Sequence, residues 1–137
     1  VRQSFEPSRQ AAAMGQPLQQ NKIVLVVDDD DALRASLEFI LGIEGDAVRT
    51  YAHGRALLDD GALPADGCLI VDQRLPDIEG LKLIDCLRKR HVRLPAILIT
   101  SNPTSMLRLR AQLAEVAIVE KPFVTGTLFQ RITQMLQ

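Results

Sequence analysis

From Lys22 onward the chain alternates between two hydrophobic periods. "IVLVV" at 23–27 is an unbroken β-branched run, which reads as a strand buried on both faces. Leu33, Leu37, Ile40 and Leu41 then recur at helical spacing, and the stretch from Gly42 to Gly45 closes that helix. Ala47 to Tyr51 reads as a second strand and "HGRALLDDG" as a short helix. "GCLIVD" (67–72) is a third strand, followed by the amphipathic helix "EGLKLIDCLRKRH". "AILIT" (96–100) follows Pro95 as a fourth strand, and "SMLRLRAQLA" places Met106, Leu109 and Leu113 on one helical face. "VAIV" (116–119) is a short fifth strand, and Leu128, Ile132 and Leu136 stripe a last helix.

Five strands alternating with five helices predict an α/β fold, a doubly wound parallel sheet covered on both faces. Right-handed crossovers make the flavodoxin-like (βα)5 order 2-1-3-4-5 the expected topology. Residues 1–21 differ: they are rich in Gln and Ala, hold two prolines and lack a sustained apolar period. They read as a flexible or partly helical N-terminal extension, with residues 22–137 as the domain. At 137 residues and 47% hydrophobic content, one core is well supplied and a second domain is not. The net charge of −1 and pI of 6.1 argue against a nucleic-acid surface. No apolar stretch reaches the roughly 20 residues of a membrane span. Cys68 and Cys86 lack metal-like spacing and read as free thiols in a reducing cytosol, with a disulfide as the alternative.

The first strand ends in four carboxylates, Asp28 to Asp31. Two carboxylates about 5 Å apart repel by roughly 3 kcal/mol at an effective dielectric near 20. A helix N-terminus absorbs Asp30 and Asp31 as cap and first-turn acid. It leaves Asp28 and Asp29 unexplained. In a sheet of the expected order the functional crevice lies beyond the carboxyl ends of strands one and three. The residues arriving there are Asp28, Asp29, Asp72, Thr100 and Lys121. Singly each is ordinary: a turn acid, a strand-end hydroxyl, a solvated lysine. Together they form an oxygen-rich site suited to a hard cation such as Mg²⁺. A divalent ion beside a carboxylate suits phosphoryl transfer through an acyl phosphate, with a hydroxyl and an ammonium to bind the remaining oxygens.

The stretches "VLVVDDD", "LIVDQRLPDIEGL", "LPAILIT" and "VEKPF" resemble, in order and spacing, the CheY-like receiver domain of bacterial two-component response regulators. The likeness covers Lys22 to Gln137. It implies a cytoplasmic signalling phosphoacceptor rather than an enzyme with a separate substrate. Asp72 would take a phosphoryl group from a sensor histidine kinase or a phosphotransfer protein. Asp29, Asp72 and the backbone carbonyl of Arg74 would ligate Mg²⁺, with Asp28 helping through water. Thr100 and Lys121 would bind the phosphoryl group, and Lys121–Pro122 would be a cis peptide, which only X–Pro bonds adopt at low cost. Arg74 and Asn102, each two residues beyond a site residue, are the expected tuners of phosphoryl lifetime.

Three positions depart from that pattern. Ile118 stands where the family usually carries the aromatic ring of its conformational relay. "LAEVAIVEKPF" lacks the usual Gly-Ala turn, and Ser101 replaces a smaller residue after Thr100. An alternative is therefore a receiver fold used mainly for docking, with weak phosphorylation-dependent switching. Arg108 and Arg110 are candidate contacts on that surface, or solvated arginines. A Mg²⁺-dependent phosphohydrolase of the aspartyl-phosphate type is disfavoured, because Arg74 occupies the place of its second Asp.

Overall fold

The computed structural model describes residues 22–121 and 125–136. The N-terminal extension and Pro122 lie outside the described residues. Strands β1 (Ile23–Val27), β2 (Ala47–Tyr51), β3 (Gly67–Asp72), β4 (Ala96–Thr100) and β5 (Ala117–Glu120) alternate with helices. The helices are α1 (Asp31–Ile43), α2 (Gly54–Leu58), α3 (Gly80–Lys89), α4 (Ser105–Leu113) and α5 (Thr125–Leu136). The strands form one parallel sheet in the order β2-β1-β3-β4-β5. That is the expected doubly wound topology. Among the described residues no helix is long and apolar enough to cross a membrane.

Period-two alternation divides the core between the two faces. Leu25, Val27, Leu69, Val71, Ala96 and Leu98 pack with Leu57, Ile84, Leu87 and Leu107 of α2, α3 and α4. Val24, Val26, Ile70, Ile97 and Ile99 pack with Leu37 and Leu41 of α1 and with Leu128 and Ile132 of α5. Each fully buried aliphatic side chain contributes about 1.5–3 kcal/mol over an exposed one. Gly67 has φ +139, and a Cβ there would lie 2.0 Å from the Ile23 carbonyl oxygen. Only glycine lets β3 start against β1 in this register.

One expectation is met with an added feature and one needs correction. Met106, Leu109 and Leu113 share a side of α4 as expected, and that side is exposed, while Leu107 and Ala111 meet the core. The fifth strand runs from Ala117 to Glu120 rather than 116–119. Val116 is held in the preceding turn, where its N–H donates to Ala111 C=O and that of Glu115 to Gln112 C=O. This is a Schellman closure with Glu115 at φ +58, doing the work usually left to glycine at a cost of about 1 kcal/mol. Cys68 and Cys86 are both free, Cys68 buried and Cys86 half-buried, and burial pushes the Cys68 thiol up to about 12.

Candidate functional site

Strand register assembles the site. Val27 of β1 is paired with Val71 of β3, Asp72 with Ile99 of β4, and Thr100 with Glu120 of β5. The next residues, Asp28 and Lys121, therefore leave the sheet beside Asp72 and Thr100. The Lys121 N–H closes the row by donating to the Thr100 carbonyl at 2.8 Å. Alternation assigns the sides. Asp28, Asp72 and Lys121 continue the α1/α5 face, while Thr100 continues the face carrying α4 and Ile118.

Asp28, Asp72 and Thr100 are buried polar residues at 1%, 4% and 7% exposure, whereas Asp29 is exposed. One oxygen from each of Asp28, Asp29 and Asp72 falls within 4.8 Å of the others. Asp28 Oδ1 accepts from the Asp30 N–H at 2.9 Å. Its Oδ2 is buried and accepts no hydrogen bond among the described residues. Asp72 Oδ1 accepts from the Arg74 N–H at 3.2 Å, and Lys121 Nζ donates to Asp72 Oδ2 at 3.3 Å. The same ammonium is 4.0 Å from Asp28 Oδ2, too far to satisfy it. Burial, with help from the charges of Asp72 and Asp29, raises the Asp28 carboxyl to about 6, against the Asp30 N–H and Lys121. A hard cation fits this donor set, since it supplies the partner that Asp28 Oδ2 lacks.

Asp30 caps α1 by accepting from the Ala32 and Leu33 N–H groups at 2.9 and 3.2 Å, and Asp31 begins the helix. The sequence assigned both. A cavity of about 270 Å³ opens over the acids, lined by Asp29, Asp72, Arg74, Thr100, Ser101 and Lys121. A neighbouring cleft of about 510 Å³ shares Arg74, Thr100 and Ser101 and extends past Asn102 to Met106 and Arg110. Arg74 thus borders both spaces and Asn102 only the second. Ile118 is half-buried against the core on the α4 side.

Several long-range contacts have no signature in the sequence. Arg110 and Arg108 remain solvent-accessible and form ion pairs: Arg110 pairs with Glu79 at 2.7 Å and Arg108, which is exposed, with Glu120 at 3.1 Å. The Arg110 guanidinium holds the Glu79 carboxyl below its usual range. Arg88 donates to the Ala114 carbonyl, so α4 is tied to three neighbours. Asp77 accepts from the Gly54 and Arg55 N–H groups at 3.0 and 2.8 Å, fastening the β3–α3 loop to α2. Gln73 Oε1 accepts from the Leu81 N–H at 2.9 Å, serving α3, whose Glu79 makes no side-chain cap. These contacts join segments far apart in the chain, and no local pattern announces them. Arg34 pairs with Asp31 at i,i+3, a contact that helical spacing alone makes available.

The comparisons agree with this geometry. The family model of the response regulator receiver domain matches residues 24–133. The transcriptional regulatory protein FixJ of Azorhizobium caulinodans is 39% identical over 114 residues, covering 82% of this chain and 54% of FixJ. The C4-dicarboxylate transport transcriptional regulatory protein DctR of Rhodobacter capsulatus is 39% identical over 73% of this chain and 52% of its own length. The chain thus spans about half the length of these relatives. The crystal structure of FixJ-N superposes with a TM-score of 0.75 at 29% identity, covering 86% of this chain and 95% of that one. The chain belongs to the response regulator receiver domain family, the phosphoacceptor modules of two-component signalling.

Proposed function

We propose that Asp72 is the phosphoacceptor and that the phosphoryl group comes from the phosphohistidine of a sensor histidine kinase or a phosphotransfer protein in the cytoplasm. The observation that carries this reading is the setting of the Asp72 carboxylate, which lies between the acids of the β1 end and the Lys121 ammonium and opens into the cavity above them. An Asp72 oxygen attacks phosphorus, the P–N bond to the donor imidazole breaks, and the imidazole nitrogen keeps the electron pair. The product is an acyl phosphate on Asp72. Asp28, Asp29, Asp72 and the Arg74 carbonyl would hold Mg²⁺, which when bound neutralises charge on the transferring oxygens. Lys121 binds one phosphoryl oxygen as an ammonium, and the Thr100 hydroxyl donates to another. The chain acts on its own side chain, taking the group on and releasing it by hydrolysis.

Mass spectrometry after incubation with acetyl phosphate and Mg²⁺ tests the assignment. The native chain should gain one phosphoryl group and Asp72→Asn none; a phosphorylated Asp72→Asn at native yield would sink it. A second reading, a docking module with weak switching, is favoured by Ile118, whose β-branched side chain has few rotamers and no ring to swing. The two readings share the same chemistry at Asp72 and differ in what α4 does afterwards.

A further inference from the structure

The four acids after β1 have four separate fates. Asp28 is buried with one oxygen unpartnered, Asp29 is exposed, Asp30 caps α1, and Asp31 is ion-paired with Arg34. Arg34 is the residue that links the first of these to the last. Its side chain is only 17% exposed. Nη1 donates to the backbone carbonyl of Asp28 at 2.5 Å, and Nη2 pairs with the Asp31 carboxylate. The Asp28 carbonyl has left the β1 ladder, whose pairs end at Val27. The rigid fork of a guanidinium reaches the two acceptors with two separate nitrogens, where a lysine would have to serve both from one.

The geometry points to Arg34 as a positioning residue that fixes the β1–α1 turn so that Asp28 and Asp29 face the cation together with Asp72. The inference rests on the Mg²⁺ site proposed above and deepens it. Its sign separates it from a simpler role. As a bare positive charge, Arg34 would repel a second cation, and removing it would tighten Mg²⁺ binding. As a clamp on the turn, removing it loosens the ligand set and weakens binding. Groups that orient a metal's ligands without touching the metal commonly change affinity by about tenfold or more.

The test uses Mg²⁺ alone as the probe, titrated into the full chain and followed through the amide shifts of Asp29, Asp72 and Arg74. Melting temperature in EDTA is read in parallel. Arg34→Ala is expected to raise the Mg²⁺ dissociation constant about tenfold, and Arg34→Lys to fall between Arg34→Ala and native. An unchanged or lower constant in a folded Arg34→Ala overturns the positioning role, even where the melting temperature drops. Should Arg34→Ala fail to fold, Arg34→Gln removes the charge, keeps at most one of the two hydrogen bonds and should weaken binding in the same direction; native or tighter affinity there overturns the proposal equally. A native chain with no saturable Mg²⁺ response would overturn the metal site itself, and the role of Arg34 with it.

Discussion

A Cβ on Gly80 would stand 2.4 Å from the backbone carbonyl oxygen of Asp72. The Gly80 N–H donates to the Gln73 carbonyl at 3.0 Å, so the start of α3 lies directly on the backbone of the proposed phosphoacceptor. Backbone cannot step aside as a flexible side chain can. Gly80→Ala should therefore displace the β3–α3 loop and cost about 1–3 kcal/mol, as overpacking does. Urea unfolding measures the loss, and acetyl phosphate labelling should slow with it. Native stability in Gly80→Ala would show that the loop yields freely.

Mg²⁺ should stabilise the chain, because a bound cation relieves the repulsion among Asp28, Asp29 and Asp72 and satisfies the orphaned Asp28 Oδ2. At about ten times its dissociation constant the ion adds roughly 1.4 kcal/mol. Thermal melts with and without Mg²⁺ should differ in the native chain and coincide in Asp29→Ala. Asp29 is the better residue to remove, being exposed and outside the core.

Burial raises the Asp28 carboxyl to about 6 from its ordinary 3.8, and this fixes the sign of a pH effect. Between those values the folded chain binds more protons than the unfolded one, so stability falls as pH rises through the window. Below about pH 4 the contribution is fully present, and above about pH 6 it is lost. Carboxyls with lowered values, such as Glu79 beside Arg110, act in the opposite direction. The measurement is therefore the difference between native and Asp28→Asn in urea melts from pH 4 to 7 with EDTA. A difference that stays flat across that range would contradict the raised carboxyl.

Arg74 is exposed and borders the cavity over Asp72 as well as the adjoining cleft. Hydrolytic water must pass this rim. Arg74→Ala should change the half-life of the phosphorylated chain several-fold without preventing phosphorylation. Asn102, at φ +46 and bordering only the adjoining cleft, should have a smaller effect. An unaltered half-life in Arg74→Ala would place its guanidinium in solvent.

Phosphorylation should move α4 less than a swinging aromatic relay would. Ile118 has no ring, and α4 is fastened through Arg110 to Glu79, through Arg108 to Glu120, and by Arg88. Amide shifts with and without beryllofluoride report on this directly. Changes at Thr100 should be large, with those across Leu107 to Leu113 and Val116 to Val119 clearly smaller. Equal changes in both regions would reveal a working relay.

The strands and the site residues were legible because both follow from short patterns. Unbroken apolar runs mark buried parallel strands, and a polar residue ending such a run must emerge at the sheet edge. The orientation of α4 was not legible. Met106, Leu109 and Leu113 share one face and Leu107 and Ala111 another, and helical spacing fits both. The packed face carries Leu107 and Ala111. The fifth strand began one residue late because Glu115 takes a left-handed conformation that no glycine advertised. The partners of Arg108 and Arg110 depend on where α4 lands, so they stayed hidden with it.

The register that gathers Asp28, Asp72, Thr100 and Lys121 also ties completion of the site to folding. β1 pairs with β2 and β3, and β4 and β5 add outward from β3. The residues meeting at the crevice thus come from the ends of four strands spread along the described chain, and such distant pairings are the slow ones to form. A chain that has closed only its first three strands already carries Asp28, Asp29 and Asp72, yet it lacks the hydroxyl and the ammonium. Its carboxylates would repel one another without Lys121 beside them. Only a chain with its last strand in place therefore brings the hydroxyl, the ammonium and the acids together.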